Sequence, residues 1–298
     1  MSKVDLEAPR ELRKPGDTDA VTFSWADVDA GLYGLARVAT GMGVDGEVST
    51  SALAVGFLGR ETLGATVTSP AEGVQAVTDE PLARWTVRGA GELDFELTFE
   101  ALTAPVTYSG RQALVKAGGM EGYEQLCRVS GTMEGRTVSG LGQRGRAWGN
   151  PDWDKITLTR GIGAWFEDGT GVTLGLVRGV KATHHADEAA WGASFSPDES
   201  FEVDEVRLST TTDEEARQIR AGLELYLDKD AEYPYRGVGE VLTGSTLELG
   251  ALRMDVAFFR WHAELLVGTG ERLVERQRDH AAEVADDRFD HAMRRMRS

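Results

Sequence analysis

The chain has 298 residues, enough to bury a sizeable core in one large domain or two ordinary ones. Its formal charge of −17, from 49 acidic against 32 basic residues, disfavours nucleic acid or an anionic membrane surface as partner, since both select clustered Lys and Arg. The single cysteine, Cys127, excludes an internal disulfide and a cysteine-based zinc site.

The opening stretch "MSKVDLEAPRELRKPGD" has no apolar run, so no signal peptide is read there. No later stretch approaches the roughly 20 apolar residues of a membrane helix, and a soluble cytoplasmic protein without membrane insertion is expected. In the first third, "VTFSWADV", "SALAVGFLG", "ETLGATVTS" and "ARWTVRGAG" read as short strands, and the glycines of "ADVDAGLYGLARV" favour strand over helix. The clearest strand is "ELDFELTFEAL": Leu93, Phe95, Leu97 and Phe99 share one face, while Glu92, Asp94, Glu96 and Glu100 share the other. "YEQLCRVSGTMEGRTVSGLG" predicts a hairpin turning at Met133-Glu134-Gly135, and "GIGAWFEDGTGVTLGLVRG" a second with Asp168-Gly169 in its turn. "QIRAGLELYLDK" and "STLELGALRMDVAFFRWHAELLV" supply further long strands. Beyond Glu271 there is no Gly or Pro, and Ala281, Ala285, Phe289, Ala292 and Met296 recur at helical spacing. This predicts an amphipathic helix over 271–298, lying across the body or, in the alternative, joining two copies as a homodimer.

Many short strands joined by tight turns, without βαβ alternation, indicate an all-β fold of antiparallel barrels or sandwiches. About 16 strand candidates fit two tandem barrels, with the N-terminal barrel over 1–138 and the C-terminal barrel over 139–270. A closed barrel of about eight strands has an interior able to hold one small ligand.

The stretch "GLGQRGRAWGNPDWDKI" contains Gly140-x-Gly142-x-x-Gly145, the letters of a dinucleotide-binding loop. Such a loop must open a helix whose free N–H groups hold the pyrophosphate, and here Gly149 and Pro151 interrupt any helix at once. The glycines therefore serve another geometry, a bend or a close approach of backbones. Around them stand Trp148 and Trp153 with Arg144, Arg146, Asp152 and Asp154. One reading is a barrel corner whose arginines tie strand ends together; the other is the wall of a ligand cavity with an Arg–Asp network.

Arg144-x-x-Ala147-Trp148-Gly149 followed by Asp152-Trp153 resembles the Arg-Asp-His-x-Trp-Gly…Asp-Trp signature of the carotenoid hydratase (hydroxyneurosporene synthase) and AttH-like superfamily. The resemblance spans roughly residues 20–270 and is strongest between Glu124 and Trp261. It implies tandem lipocalin-like barrels and an activity among hydratases and Diels–Alderase-type cyclases. Gly145-Arg146 replaces the Asp-His of the signature, so the proton donor presumed at that aspartate does not carry over. Arg146 is a poor acid, and is expected instead to orient or polarise a carbonyl or carboxylate.

"THHADE" raises a metal reading for His184 with Glu188, against a solvated turn; adjacent His184 and His185 would point to opposite faces of a strand. His262 reads as a packed or rim histidine, and no Gly-x-Ser-x-Gly nucleophile elbow occurs. Charged residues inside apolar strands are Glu224 (sharing a face with Tyr226), Glu240, Asp255 and Arg260, either outward on half-wet strands or aimed into a cavity. There a buried carboxyl would become a general acid near neutral pH.

The resulting expectation is a cofactor-independent cyclase or isomerase (or hydratase) acting on a hydrophobic polyene, terpenoid or polyketide of secondary metabolism. The alternative is a non-catalytic carrier of a lipid or similar ligand. Catalytic candidates are Arg146, Asp152, Glu224, Tyr226 and Glu240. Trp148, Trp153, Trp165, Phe259 and Trp261 are the candidates for shaping the substrate. No cofactor and no metal are expected.

Overall fold

The structure, a computed structural model, describes residues 6–109, 112–165, 170–196, 199–227, 229, 234–249, 252–265, 274–277 and 281–287. The first half contains β1 (Thr18–Asp27), β2 (Leu32–Met42), β3 (Val48–Leu58), β4 (Glu61–Thr68) and β5 (Val74–Glu80). It continues through β6 (Arg84–Gly89), β7 (Phe95–Ala101), β8 (Val106–Tyr108), the short helix α1 (Ala113–Gly118), β9 (Met120–Met133) and β10 (Arg136–Gly149). The second half runs through β11 (Ile156–Trp165), β12 (Gly171–Gly179), β13 (Ala189–Phe195), β14 (Ser200–Glu202) and β15 (Glu205–Thr212). It ends with β16 (Gln218–Tyr226), β17 (Tyr235–Leu249), β18 (Leu252–Leu265), β19 (Val274–Gln277) and β20 (Ala281–Asp287).

Two ten-stranded antiparallel sheets result, ordered β4-β3-β2-β1-β10-β9-β7-β6-β5 and β14-β13-β12-β11-β20-β18-β17-β16-β15, with β8 and β19 as side branches. The plan is the same twice. In each half three strands step outward from the first, and the last strand lies against the other flank of the first. The ends of each sheet come together, β5 beside β2 and β3, and β15 beside β13, so both sheets curl into lipocalin-like barrels.

Alternation in the sequence decides which way each strand faces. Phe95, Leu97 and Phe99 of β7 point inward and meet Phe23 and Trp25 of β1, with ring centroids 4.9 Å apart for Phe23–Phe99 and 5.5 Å for Trp25–Phe95. The first barrel is therefore filled by side chains rather than hollow. Leu174, Leu208, Leu223, Phe259 and Trp261 build a second core inside the second barrel. A third core joins the two: Tyr33 and Phe57 from the first sheet pack on Phe258 from the second, at 5.5 and 5.8 Å. The β9–β10 hairpin turns at Glu134 and Gly135, with φ of 50° and 71°, as a two-residue connection whose twist matches the strands. The other expected turn, Asp168-Gly169, lies outside the described residues.

Two expectations are corrected. The first barrel does not end at residue 138, because β10 carries on to Gly149 between β1 and β9; the second starts with β11. The segment expected as a C-terminal helix is strand wherever it is described. β19 pairs with β18, and β20 fills the slot between β11 and β18. Helical spacing of apolar residues is a local signal; two vacant ladder edges offer the backbone more hydrogen bonds than a solitary surface helix gains from a thin stripe. Residues 288–298 lie outside the description. Among the described residues no helix is long and apolar enough to cross a membrane.

Candidate active site between the barrels

The strand β10 that carries the glycine-arginine motif has two faces with separate tasks. Arg144, Arg146 and Trp148 point toward the first barrel, whereas Gln143 and Gly145 point toward the second. On the inner face, Arg144 is buried and donates to Glu7 Oε2 at 2.6 Å, while Tyr123 Oη and Trp85 Nε1 donate to Glu7 Oε1 at 2.8 and 3.1 Å. Its guanidinium lies 4.2 Å from the Trp85 ring centroid, and burial pulls its pKa down to about 10. Arg146 makes a two-pronged pair with Asp19, at 2.9 Å from Nε and 2.6 Å from Nη2, and also donates to the Glu7 backbone carbonyl. Arg10 stacks on Trp148 at 3.9 Å. These residues gather three arginines around the two carboxylates Glu7 and Asp19 at the first barrel.

The outer face borders a cavity of about 330 Å³ between the barrels. Four neighbouring strands bring Arg37, Thr22, Gly145 and Glu124 into one row across β2, β1, β10 and β9. All four line the cavity. Gly145 is needed for space: a Cβ there would stand 2.3 Å from Glu124 Oε2 and 2.5 Å from Oε1. The Glu124 carboxyl thus lies over the bare backbone of its neighbour. Gln143 Nε2 donates to Glu124 Oε2 and to Thr173 Oγ1 of the second barrel, both at 2.9 Å. Gly163 of β11 admits that bridge, since a Cβ at 163 would meet Gln143 Oε1 at 1.9 Å.

Desolvation raises the Glu124 pKa from 4.5 to about 7, against the opposing hydrogen bond from Gln143. Tyr108 of β8 borders the same space, and burial together with the charge of Glu124 lifts its phenol well above the ordinary value. Its ring packs at 4.9 Å against Trp191 of β13. Trp153, Leu114, Met120, Ile156 and Met254 supply the apolar part of the lining, beside Arg37, Arg160, Ser24 and Thr159. One titratable acid near neutrality, a few polar groups and a greasy wall are the ingredients of a small-molecule site.

A family model described as a domain of unknown function, DUF7064, matches residues 6–270. The chain belongs to the DUF7064 family. No protein of curated function matches the sequence. Among solved structures the chain is similar to an AttH-like protein from Nitrosomonas europaea, at 10% identity and a TM-score of 0.65, with 93% of this chain and 94% of that one covered. It is similar also to CghA with Sch210972, at 11% identity and a TM-score of 0.59, covering 93% and 90%. CghA in a second structure gives 11%, 0.60, 93% and 89%. At such identities the likeness is one of fold, and the fold is that of the AttH-like proteins.

The structure scatters the residues singled out from this DUF7064 sequence. Trp153 lines the cavity, and Trp165 packs beside it in the core that joins the barrels. Arg146 and Trp148 face away from the cavity, at the first barrel. Asp152 is exposed in the β10–β11 connection and pairs with Lys155 at 2.5 Å. Phe259 and Trp261 are buried inside the second barrel, 5.9 Å apart. Glu224 and Tyr226 are on the outer face of β16, where Glu224 takes Arg236 at 3.0 Å and Arg207 stacks 5.0 Å from the Tyr226 ring. Glu240 is exposed, opposite Arg220 and Arg260. Asp255 is buried but held by Arg253 at 2.9 Å and by Thr246.

Glu224 borders a second cavity of about 810 Å³ at the second barrel, together with Glu188. These carboxylates are already paired, for Glu188 accepts from both Arg160 and Arg178, and Glu224 accepts from Arg236 with Arg207 3.8 Å away. The same pairing removes the metal reading of His184 with Glu188; the His184 backbone N–H is in a turn closed by Asp187. Among the described residues no group of three His, Cys, Asp or Glu is placed to hold a metal ion. Glu124, Gln143, Tyr108, Thr173 and Trp191 are the site residues that sequence reasoning missed. A signal existed for the first, a carboxylate within the apolar strand "GYEQLCRV".

Proposed function

We propose that the chain is a cofactor-independent isomerase or cyclase acting on a hydrophobic polyene, terpenoid or polyketide in the inter-barrel cavity, with Glu124 as the group that moves the proton. The observation that carries this reading is the Glu124 carboxyl lying over Gly145 with a pKa of about 7, which makes both protonation states available near neutral pH. Gly145 occupies the place of the signature aspartate, so a carboxyl reaches that spot from the adjacent strand. The carrier reading drew its support from the missing acid and loses that support.

An acid of this strength protonates an isolated alkene against a steep gradient, but exchanges protons readily at carbons next to a carbonyl or enol. The ionised carboxyl takes a proton from one such carbon and returns it to another, so mass is unchanged. This favours isomerisation and cyclisation over hydration. The cavity holds a flexible chain in a reactive shape, an effect that supplies up to roughly 7–11 kcal/mol in well-oriented systems.

Incubation with candidate hydrophobic substrates, followed by mass spectrometry, tests the reading. A product of unchanged mass supports isomerisation or cyclisation, a gain of one water supports hydration, and saturable binding without turnover leaves a carrier. Glu124→Gln is expected to lower turnover by about 10²–10⁴-fold with little change in substrate binding.

A further inference from the structure

Tyr108 stands at the end of β8, opposite Gly122 of β9. Met120, Gly122 and Glu124 alternate onto one face of β9, and Met120 and Glu124 both line the inter-barrel cavity. The phenol lies over the bare backbone between them: a Cβ on Gly122 would stand 2.5 Å from Tyr108 Oη and 2.7 Å from Cζ. The Glu124 carboxyl lies in the same way over Gly145, its partner across the β9–β10 ladder. Gly122 and Gly145 are diagonal neighbours, a separation of roughly 7–8 Å. That span fits a C–C=O unit with one close contact at each end.

Packing does not account for the hydroxyl. The ring is fixed by Trp191, 4.9 Å away, and phenylalanine would make the same contact. The oxygen has no hydrogen-bond partner among the described residues, and it is not sealed from the cavity. Burial and the Glu124 charge both hold the phenol in its protonated form, so it offers a hydrogen-bond donor rather than an acid. The charge of Arg37, another cavity residue, opposes them and favours negative charge at that oxygen. A donor inside the field of a cation suits an acceptor that becomes negative.

We propose that Tyr108 is a second catalytic residue, whose hydroxyl donates to the carbonyl oxygen of the substrate while Glu124 exchanges the proton on the carbon beside it. This rests on Glu124 being the proton carrier of the cavity. The Glu124 carboxylate takes the proton, and the C–H electron pair becomes the C=C bond of an enolate. The carbonyl π pair moves onto oxygen, where the Tyr108 O–H and the charge of Arg37 stabilise it. The carboxyl then returns its proton to another carbon of the enolate system, which restores the carbonyl and the carboxylate.

The probe is 4-nitrophenol, whose phenolate is flat, carries charge on its oxygen and absorbs visible light, unlike the neutral form. About one pH unit below the Glu124 pKa of about 7 the carboxyl is mostly protonated, as it is beside an enolate. Free 4-nitrophenol is then mostly neutral, yet wild-type protein is expected to bind it as the yellow phenolate. Tyr108→Phe should weaken phenolate binding by about 10–100-fold and restore the neutral spectrum. The ether 4-nitroanisole, which cannot ionise, should bind both proteins alike. Glu124→Gln mimics the protonated acid and should keep the phenolate bound. Should Tyr108→Phe fail to fold, the wild-type spectrum decides alone. Nitrophenol bound in its neutral form, or a phenolate affinity that survives Tyr108→Phe, overturns the assignment of Tyr108. Either result leaves the Glu124 reading to its own test, the turnover of Glu124→Gln; binding of neither probe removes both.

Discussion

At the residue scale, the site is made by what is absent at two positions. Gly145 and Gly163 give up their side chains so that Glu124 and Gln143 can lie across the space between the sheets. Gly163→Ala is expected to push Gln143 aside and remove the hydrogen bond that holds the Glu124 pKa down, so the pH midpoint for activity should move upward. A pH–rate profile of the variant checks this. Glu124 also ties stability to pH. Its folded pKa of about 7 lies above the ordinary 4.5, so the protonated form suits the fold. Its contribution is full below pH 4.5 and disappears as the pH rises through about 7. The loss is at most about 3 kcal/mol, trimmed because the side chain borders a cavity. Urea unfolding across this range should show the decline in wild-type protein and a smaller one in Glu124→Gln. The arginines of the motif answer to a different measurement. Glu7→Ala leaves Arg144 buried without its counter-charge, and should cost roughly 3–5 kcal/mol of stability.

At the scale of elements, strands with a greasy and a wet side were legible from alternation, as Phe95, Leu97 and Phe99 of β7 show. The motif strand β10 was not, because neither face is plainly apolar: one carries buried arginines matched by acids distant in sequence, the other glycines and Gln143. Nothing local tells Arg146 that Asp19 will sit beside it. β20 misled for the same reason. Its composition favours a helix, and only the vacant edges of β11 and β18, set by the rest of the fold, make it a strand. Removing residues 271–298 is therefore expected to speed amide hydrogen exchange in β11 and β18, whereas loss of a surface helix would leave those ladders protected.

At the scale of the molecule, two barrels were expected from strand number and length, and two are present. The hollow was expected inside the barrels: a cavity of about 810 Å³ does border Leu176, Val206, Leu208 and Leu223 of the second barrel's core, but the first barrel is not hollow. The first barrel is filled by Trp25, Phe95, Phe99 and their neighbours, and the cavity with the convergent polar groups opens between the barrels instead. Strand faces that read as outward for one barrel thus become the walls of the site. The shared core around Phe258 holds those walls in register. Phe258→Ala should cost about 3–5 kcal/mol and split a single unfolding transition into two, visible as non-coincident fluorescence and circular dichroism curves.

Pairing the first strand of each half with its last has a kinetic consequence. Thr18 meets Gly149, and Gly161 meets Val284, so neither half can seal until its final ribbon has emerged from the ribosome. The earlier half completes its own circuit while its neighbour is still being translated. For that interval the outer surface of β1, β9 and β10, with Glu124 upon it, stands bare to water and to chaperones. Assembly of the inter-barrel cavity is thus the closing act of biosynthesis, and pausing translation before residue 281 should yield a half-folded intermediate that binds no cavity ligand.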